Sequence, residues 1–321
     1  MSARAAVDPP QPGRPYGLIT GDGGSLADLS PDQVEQAFKQ HGAILVRGFP
    51  PDLDAFRAMS DRLCATWVIN EATQRRMIDA ASNIQSVNTG TQPFSLHSEI
   101  SRAPWRPDAC LFYCIQPPRT GGETTICDGV ALAAALPAEL TVKLAGRRLL
   151  FTRRADAPAI EKWLGVKVPT PDLIHAPPAD CPYTFVWRDG YLMMNFSRPI
   201  LQRPMFTDAP AFANFLLFAR DMRHNRFQPL LDDGTVIPDE WVDTIRTVSD
   251  SLTVAISWRA GDLLLLDNSR FMHGRRRVTG DGPRVIASRF GYLRFAPINP
   301  EEPADPVWRR ADFIPPPLRT D

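Results

Sequence analysis

Apolar residues along this chain gather in short runs closed by Gly or Pro, and helical spacing is confined to a few windows. The runs at 43–49, 108–116, 123–127, 149–153, 183–188, 191–196, 253–258, 263–266 and 285–293 have the length and composition of strands. Pro117-Pro118-Arg119-Thr120-Gly121-Gly122 predicts a hairpin between the second and third, and Asp189-Gly190 predicts another between the fifth and sixth. The aliphatic run 263–266 predicts a strand covered on both faces. Helices are predicted over 31–41, where Ser30 caps and Pro31 opens the first turn, and over 53–66, where Phe56, Met59, Leu63 and Trp67 have helical spacing. Others are predicted over 130–136, 138–145, 238–248 and 208–223, the last capped by Asp208 with Ala211, Phe215, Phe218 and Met222 on one stripe. Residues 68–95 are polar and lack a period, which predicts a loop or lid. Residues 1–15 are Pro-rich and predict a surface tail, and 296–321 an irregular end. No internal repeat is present. The pattern predicts a mixed α/β fold dominated by β, with a jelly-roll core, flanking helices and a helical insertion at about 129–250, in one domain over 16–321.

Composition adds exclusions. At 44% hydrophobic and 22% charged, 321 residues supply a full-sized core, so disorder is excluded. Lys plus Arg and Asp plus Glu balance at 36 each, which argues against nucleic-acid and anionic-membrane partners. Residues 1–10 lack the apolar core of a signal peptide and no aliphatic run could span a bilayer, so a cytoplasmic protein is expected. Five cysteines in such a chain predict no disulfide framework. Cys110, Cys114 and Cys127 are expected as buried reduced thiols, because no CxxC pair supports a zinc site there.

The chemistry lies in two stretches. In an extended segment residues i and i+2 share a face, so His97 and Glu99 can offer an imidazole and a carboxylate to one point. His273, in Asp267-Asn268-Ser269-Arg270-Phe271-Met272-His273-Gly274-Arg275, can supply a third donor. Two His and one carboxylate suit a non-haem Fe(II) oxygenase with open coordination positions. His41, His175 and His224 read as ordinary satisfied imidazoles. A zinc-dependent hydrolase or isomerase on the same triad, and a catalytically silent binding protein, are the competing classes.

His97-x-Glu99, Gly121-Gly122-Glu123-Thr124, Gly261-Asp262-Leu263, Asp267-Asn268, His273-Gly274-Arg275 and Arg284, in this order over about residues 30–295, resemble the Fe(II)/2-oxoglutarate dioxygenases of the taurine dioxygenase and clavaminate synthase-like superfamily. The resemblance implies that His97, Glu99 and His273 bind Fe(II), that Thr124 and Arg284 hold the distal carboxylate of 2-oxoglutarate, and that O2 is consumed with release of succinate and CO2. A hydrolase has no use for such a cosubstrate anchor, and a silent module would be expected to have lost at least one ligand. A carboxylate at Glu99 implies hydroxylation, desaturation or cyclisation rather than halogenation. Glu rather than Asp is similar to relatives that act on amino acids in natural-product pathways, so a small amino-acid-like substrate, free or carrier-bound, is expected. Relatives often place a second Arg four residues after the first, where this chain has Ser288. Period 2 puts Arg284, Ile286 and Ser288 on one face and Arg289 on the other. Polar substrate contacts are therefore sought at Asn88, Trp105, Asn195, Arg198 and Ser288.

Overall fold

Alternation along the longest strands divides the apolar residues into three layers, and these layers set the architecture. The structure, a computed structural model, describes residues 6–72, 74–222, 228–297 and 299–316. In chain order its strands are β1 (Val7–Asp8), β2 (Gly17–Thr20), β3 (Ala43–Arg47), β4 (Cys64–Val68), β5 (Met77–Asp79), β6 (Ile84–Ser86), β7 (Phe94–His97), β8 (Ala109–Gln116), β9 (Thr124–Asp128), β10 (Arg148–Arg154), β11 (Thr184–Arg188), β12 (Tyr191–Pro199), β13 (Leu230–Leu231), β14 (Val254–Ile256), β15 (Leu263–Asp267), β16 (Phe271–Arg275) and β17 (Val285–Leu293). The helices are α1 (Pro31–His41), α2 (Leu53–Leu63), α3 (Gly129–Ala135), α4 (Ala138–Leu144), α5 (Ala157–Leu164), α6 (Pro171–His175), α7 (Leu216–Asp221) and α8 (Asp239–Leu252).

The larger sheet runs β1-β2-β3-β15-β8-β17-β6-β5, with β4 also on β17, and the smaller runs β14-β9-β16-β7. Leu264 and Leu266 share a buried cluster with Phe112, Ile286 and Phe290 of the large sheet and Ile126, Ile256 and Phe271 of the small one, so this layer lies between the sheets. Leu263 and Leu265 point the other way, to Phe38 of α1 and Phe56 and Met59 of α2. Cys127 and Met272 on the outer face of the small sheet meet Leu132, Leu140 and Ile245 of α3, α4 and α8. Burying a Leu or Phe contributes about 1.5–3 kcal/mol, so the continuous run in β15 ties both layers together. This is the expected jelly-roll core. Within the 129–250 excursion, β11-β12-β10-β13 form a third sheet. Its β11–β12 turn has Asp189 at φ 50° and Gly190 at φ 78°, as a tight hairpin requires. The cysteines are free thiols, four of them buried.

Several local expectations are corrected. Residues 108–127 are not a hairpin: β8 pairs with β15 and β17, whereas β9 pairs with β14 and β16, so Pro117 to Gly122 carries the chain between sheets. The helix at 53–66 ends at Leu63, because Cys64 turns extended and β4 docks on β17 with Trp67 opposite Gly291. Pairing with an available strand outweighs the helical spacing of Trp67. The helix at 208–223 shrinks to α7: Ala211 is drawn into a bridge with Gln202, Asp208 pairs with Arg203, and Asn214 Oδ1 accepts from Leu216 N at 2.9 Å to start the helix there. Arg223 lies outside the described residues. The 68–95 stretch contains β5, β6 and part of β7, and only its connecting segments are irregular. Residues 7–8, read as part of a tail, pair with Leu18 and Ile19 because the edge of β2 offers free backbone groups. Helices α5 and α6 have no counterpart in the sequence reading.

Candidate active site

His273 sits in β16 directly opposite His97, the last residue of β7. The two strands meet closely because Gly274 lacks a side chain; a Cβ there would stand 2.6 Å from the Phe94 carbonyl oxygen. The ring centroids of His97 and His273 are 4.5 Å apart, and donor atoms of His97, Glu99 and His273 lie within 4.8 Å of one another. Glu99 reaches this point differently from the expectation of one extended segment, since β7 has ended and Glu99 occupies a turn. Asn268 holds that turn, its Oδ1 accepting from Glu99 N at 2.7 Å and its Nδ2 donating to the carbonyls of Glu99 and Pro107 at 2.9 Å. Ile100, next along, has φ 52°, a left-handed conformation that costs a β-branched residue about 1–3 kcal/mol and persists only where its surroundings enforce it.

The triad faces a cavity of about 940 Å³, also lined by Thr124 and Arg284. Arg284 Nε donates to the Gly122 carbonyl at 2.9 Å, and among the described residues its terminal nitrogens donate to no protein group. Burial, and then the charge of Arg275, push its pKa down to about 10, so it stays a cation at neutral pH. Gly122 has φ 68° and would place a Cβ 3.2 Å from Arg284 Cδ, so both backbone and side-chain packing favour glycine there. Thr124 Oγ1 accepts from the Trp258 indole N–H at 3.0 Å, which leaves its hydroxyl proton to donate. The alternation of β17 survives the register shift between Val285 and Ile286, because Val285 faces Gln116 and Ile286 faces Cys114, so the extra residue, Ile115, belongs to β8. Arg289 accordingly lies on the far side, 3.5 Å over the Trp67 ring and paired with Asp61 at 2.7 Å.

The remaining sequence candidates separate. Asn88 and Trp105 line the cavity. Ser288 stands behind it, its hydroxyl accepting from Arg75 Nη1 at 3.0 Å and donating to the Gln85 carbonyl. Asn195 and Arg198 do not line it: Asn195 Oδ1 accepts from Thr152, and Arg198 donates to the carbonyls of Ser101 and Ala103 at 3.2 Å. Asn195 thus links two strands of the insertion through side chains, and Arg198 holds the backbone of the turn beyond Glu99. Asn70, Arg75 and Arg102 on the cavity wall lay outside the sequence reading, and Phe215 entered it only as part of a helical stripe. Asn70 Nδ2 donates to Glu99 Oε1 at 2.5 Å and Arg75 Nη2 to Oε2 at 3.2 Å.

The family described as "Taurine catabolism dioxygenase TauD, TfdA family" matches residues 8–289. The chain belongs to this family. Dapdiamide synthesis protein DdaC of Enterobacter agglomerans is 25% identical over 317 residues, covering 88% of this chain and 93% of its own. A clavaminate synthase-like protein of Arabidopsis thaliana is 24% identical over 276 residues, covering 79% and 83%. Among solved structures, a taurine dioxygenase from Burkholderia xenovorans has a TM-score of 0.61 at 14% identity over 93% of this chain and 92% of its own. PvcB from Pseudomonas aeruginosa has a TM-score of 0.58 at 15% identity, covering 94% and 95%. Both share the fold.

Membership in the TauD family selects the dioxygenase among the three classes left open by the residues, with Fe(II), 2-oxoglutarate and O2 as its cofactors. The donor set of this TauD-family chain fits a cation. His97 Nδ1 lies 2.9 Å from the Ser95 carbonyl, which can only accept, so its proton is on Nδ1 and Nε2 keeps a lone pair. Burial, and then the neighbouring His273, lower the His97 pKa to about 4, so the His97 imidazole is neutral near pH 7. His273 Nε2 lies 3.4 Å from Glu99 Oε2, and its Nδ1 is buried without a partner among the described residues. Burial opposes ionisation of Glu99, but Arg75 and the two imidazoles outweigh it and hold the carboxyl well below the usual range. Among the described residues no helix is long and apolar enough to cross a membrane.

Proposed function

We propose that this TauD-family dioxygenase is a cytoplasmic enzyme that hydroxylates, desaturates or cyclises a small amino-acid-like molecule, free or carrier-bound, in natural-product biosynthesis, with residues 16–321 acting as one oxygenase domain. In this reading His97, Glu99 and His273 hold Fe(II), and Arg284 with Thr124 takes the distal carboxylate of 2-oxoglutarate. The observation that carries it is the convergence of a neutral imidazole, an ionised carboxylate and a second imidazole within 4.8 Å on a cavity whose wall offers the guanidinium of Arg284. When bound, iron supplies the coupling of O2 reduction to decarboxylation of 2-oxoglutarate to succinate and CO2.

The chain's own part is positioning and exclusion of water. The guanidinium presents a planar fork matched to a carboxylate, and Thr124 adds a hydroxyl donor beside it. Phe112 packs against His273 with centroids 4.9 Å apart, and Phe215 and Phe218 pack against His97 at 5.8 and 4.6 Å. These rings fix the imidazoles and keep one side of the site dry, which strengthens every charged contact within it. Support for the substrate class comes from DdaC, described as a dapdiamide synthesis protein, and from PvcB, described as an oxygenase from an isonitrile synthetic pathway. Anaerobic titration of the protein with Fe(II) and 2-oxoglutarate should produce a weak visible charge-transfer band, lost in His273→Ala. No band, together with zinc-supported hydrolysis of an ester or amide, would sink the reading.

A further inference from the structure

Four guanidiniums line the cavity, those of Arg75, Arg102, Arg275 and Arg284. Arg75 is bonded to Glu99, Ser288 and Asn88. Arg275 Nη1 and Nη2 donate to the carbonyls of Asn88 and Gln92, each at 2.6 Å. Arg284 carries the cosubstrate role proposed above. Arg102 differs from all three. It follows Glu99 and the left-handed Ile100, its guanidinium stands 5.4 Å over the Phe215 ring, and among the described residues it donates no hydrogen bond and forms no ion pair. A ring face attracts a guanidinium but cannot satisfy its five N–H donors, and a cation set into a cavity wall without an anion is costly. Burial lowers its pKa first and Arg153 adds repulsion, while Glu99 and Glu71 favour the charge from a distance. The charge balance of the cavity agrees. Its lining carboxylates are Glu71, Glu99 and Asp221, and Asp221 is already turned to Arg246 at 2.8 Å. Fe(II) and 2-oxoglutarate bring equal and opposite charges, so loading leaves the four guanidiniums in excess of the lining carboxylates.

We infer that Arg102, seated on Phe215, is the anchor for a carboxylate of the substrate, separate from the cosubstrate anchor at Arg284. Resting on the oxygenase reading above, this makes the substrate a molecule with a free carboxylate. It also decides between the two delivery forms, because a molecule joined to a carrier through its carboxyl no longer has the group that Arg102 would hold.

The test uses a panel of N-acetyl amino acids and simple aryl and alkyl carboxylates, each paired with its primary amide, added anaerobically to the full-length protein with Fe(II) and 2-oxoglutarate. Binding is read by perturbation of the visible band and by calorimetry on the same samples. At least one acid should bind about tenfold tighter than its amide to wild type. Arg102→Gln should erase that preference while the 2-oxoglutarate constant stays within about twofold, and Arg102→Lys should keep part of it. Arg284→Ala should show the reverse, a weakened cosubstrate and an intact acid preference. The proposal is overturned if no acid outbinds its amide, if the preference survives in Arg102→Gln, or if Arg102→Gln weakens 2-oxoglutarate as Arg284→Ala does. Absence of the visible band would instead count against the oxygenase reading, and calorimetry would still report the acid preference.

Discussion

Arg75 Nη2 lies 3.2 Å from Glu99 Oε2, and both side chains are buried. The same guanidinium is 4.9 Å over the Phe290 ring, so it is held by the core of the barrel as well as by the carboxylate. Removing one partner of a buried ion pair costs about 3–5 kcal/mol because the other charge is stranded. A divalent ion beside Glu99 would supply the missing compensation. Arg75→Met should therefore destabilise metal-free protein by about 3 kcal/mol and recover most of the loss on adding Mn(II). Thermal unfolding with and without the ion measures this, and equal losses in both states would show that Arg75 acts by packing alone.

Arg284→Ala should raise the apparent constant for 2-oxoglutarate while leaving Fe(II) affinity unchanged. Loss of a charge-assisted buried carboxylate contact costs about 2–5 kcal/mol, roughly 30- to several-thousand-fold. Pyruvate, which lacks the distal carboxylate, should barely distinguish the variant from wild type. A normal 2-oxoglutarate constant in the variant would remove Arg284 as the anchor.

Asp267 lies buried below the site, accepting from Ser269 N at 2.8 Å and Ser269 Oγ at 2.5 Å. Burial pushes its pKa from 3.8 up to about 6 despite those bonds. A carboxyl with a raised folded pKa contributes stability that is fully present below its unfolded pKa and is lost as pH rises through the folded one. The window is therefore about pH 4–6, and the loss is on the order of 2–3 kcal/mol. Asp267→Asn should not show this loss. Its stability relative to wild type should rise across that window in urea melts and level off above pH 7, whereas a constant difference would mean that Asp267 is ionised throughout.

Arg275 ties the carbonyls of Asn88 and Gln92 to β16. If the irregular parts of 68–95 form a lid, Fe(II), 2-oxoglutarate and substrate should slow amide exchange over 69–76 and 87–93 relative to β8. Arg275→Ala should speed exchange at 88–92 by about tenfold in the unliganded protein. Equal protection in every state would eliminate the lid.

What the sequence discloses follows the range over which each signal acts. Period 2 separates Leu263 and Leu265 from Leu264 and Leu266, and Ser288 from Arg289, because alternation is a local property of a strand. It survives in β17 only because the extra residue sits in β8, which no local pattern reveals. The short helix at 216–221 was masked by a longer stripe, since Phe215 and Phe218 owe their spacing to contacts with His97. Glu99 converges with His97 through a turn held by Asn268, a residue far along the chain. Arg75 and Arg102 carry no signature, because what makes them notable is what each meets, or fails to meet, after folding. Asn195 and Arg198 show the opposite error, polar residues near the site by sequence logic whose hydrogen bonds are spent on structure.

Asn268 closes on both the amide and the carbonyl of Glu99, and its own segment runs directly into the strand bearing His273. The two halves of the donor set are thus joined by hydrogen bonds of the folded chain rather than by the ion they would share. The conformational entropy of gathering three donors is lost during folding, so capture of the ion does not have to drive collapse, in contrast to domains that are unfolded without their metal. Chelation should strip the ion and leave a folded scaffold, and one divalent metal should replace another without denaturation. Which ion occupies the enzyme in a cell would then follow supply and the intrinsic order of divalent affinities, with the protein acting as a reusable mould.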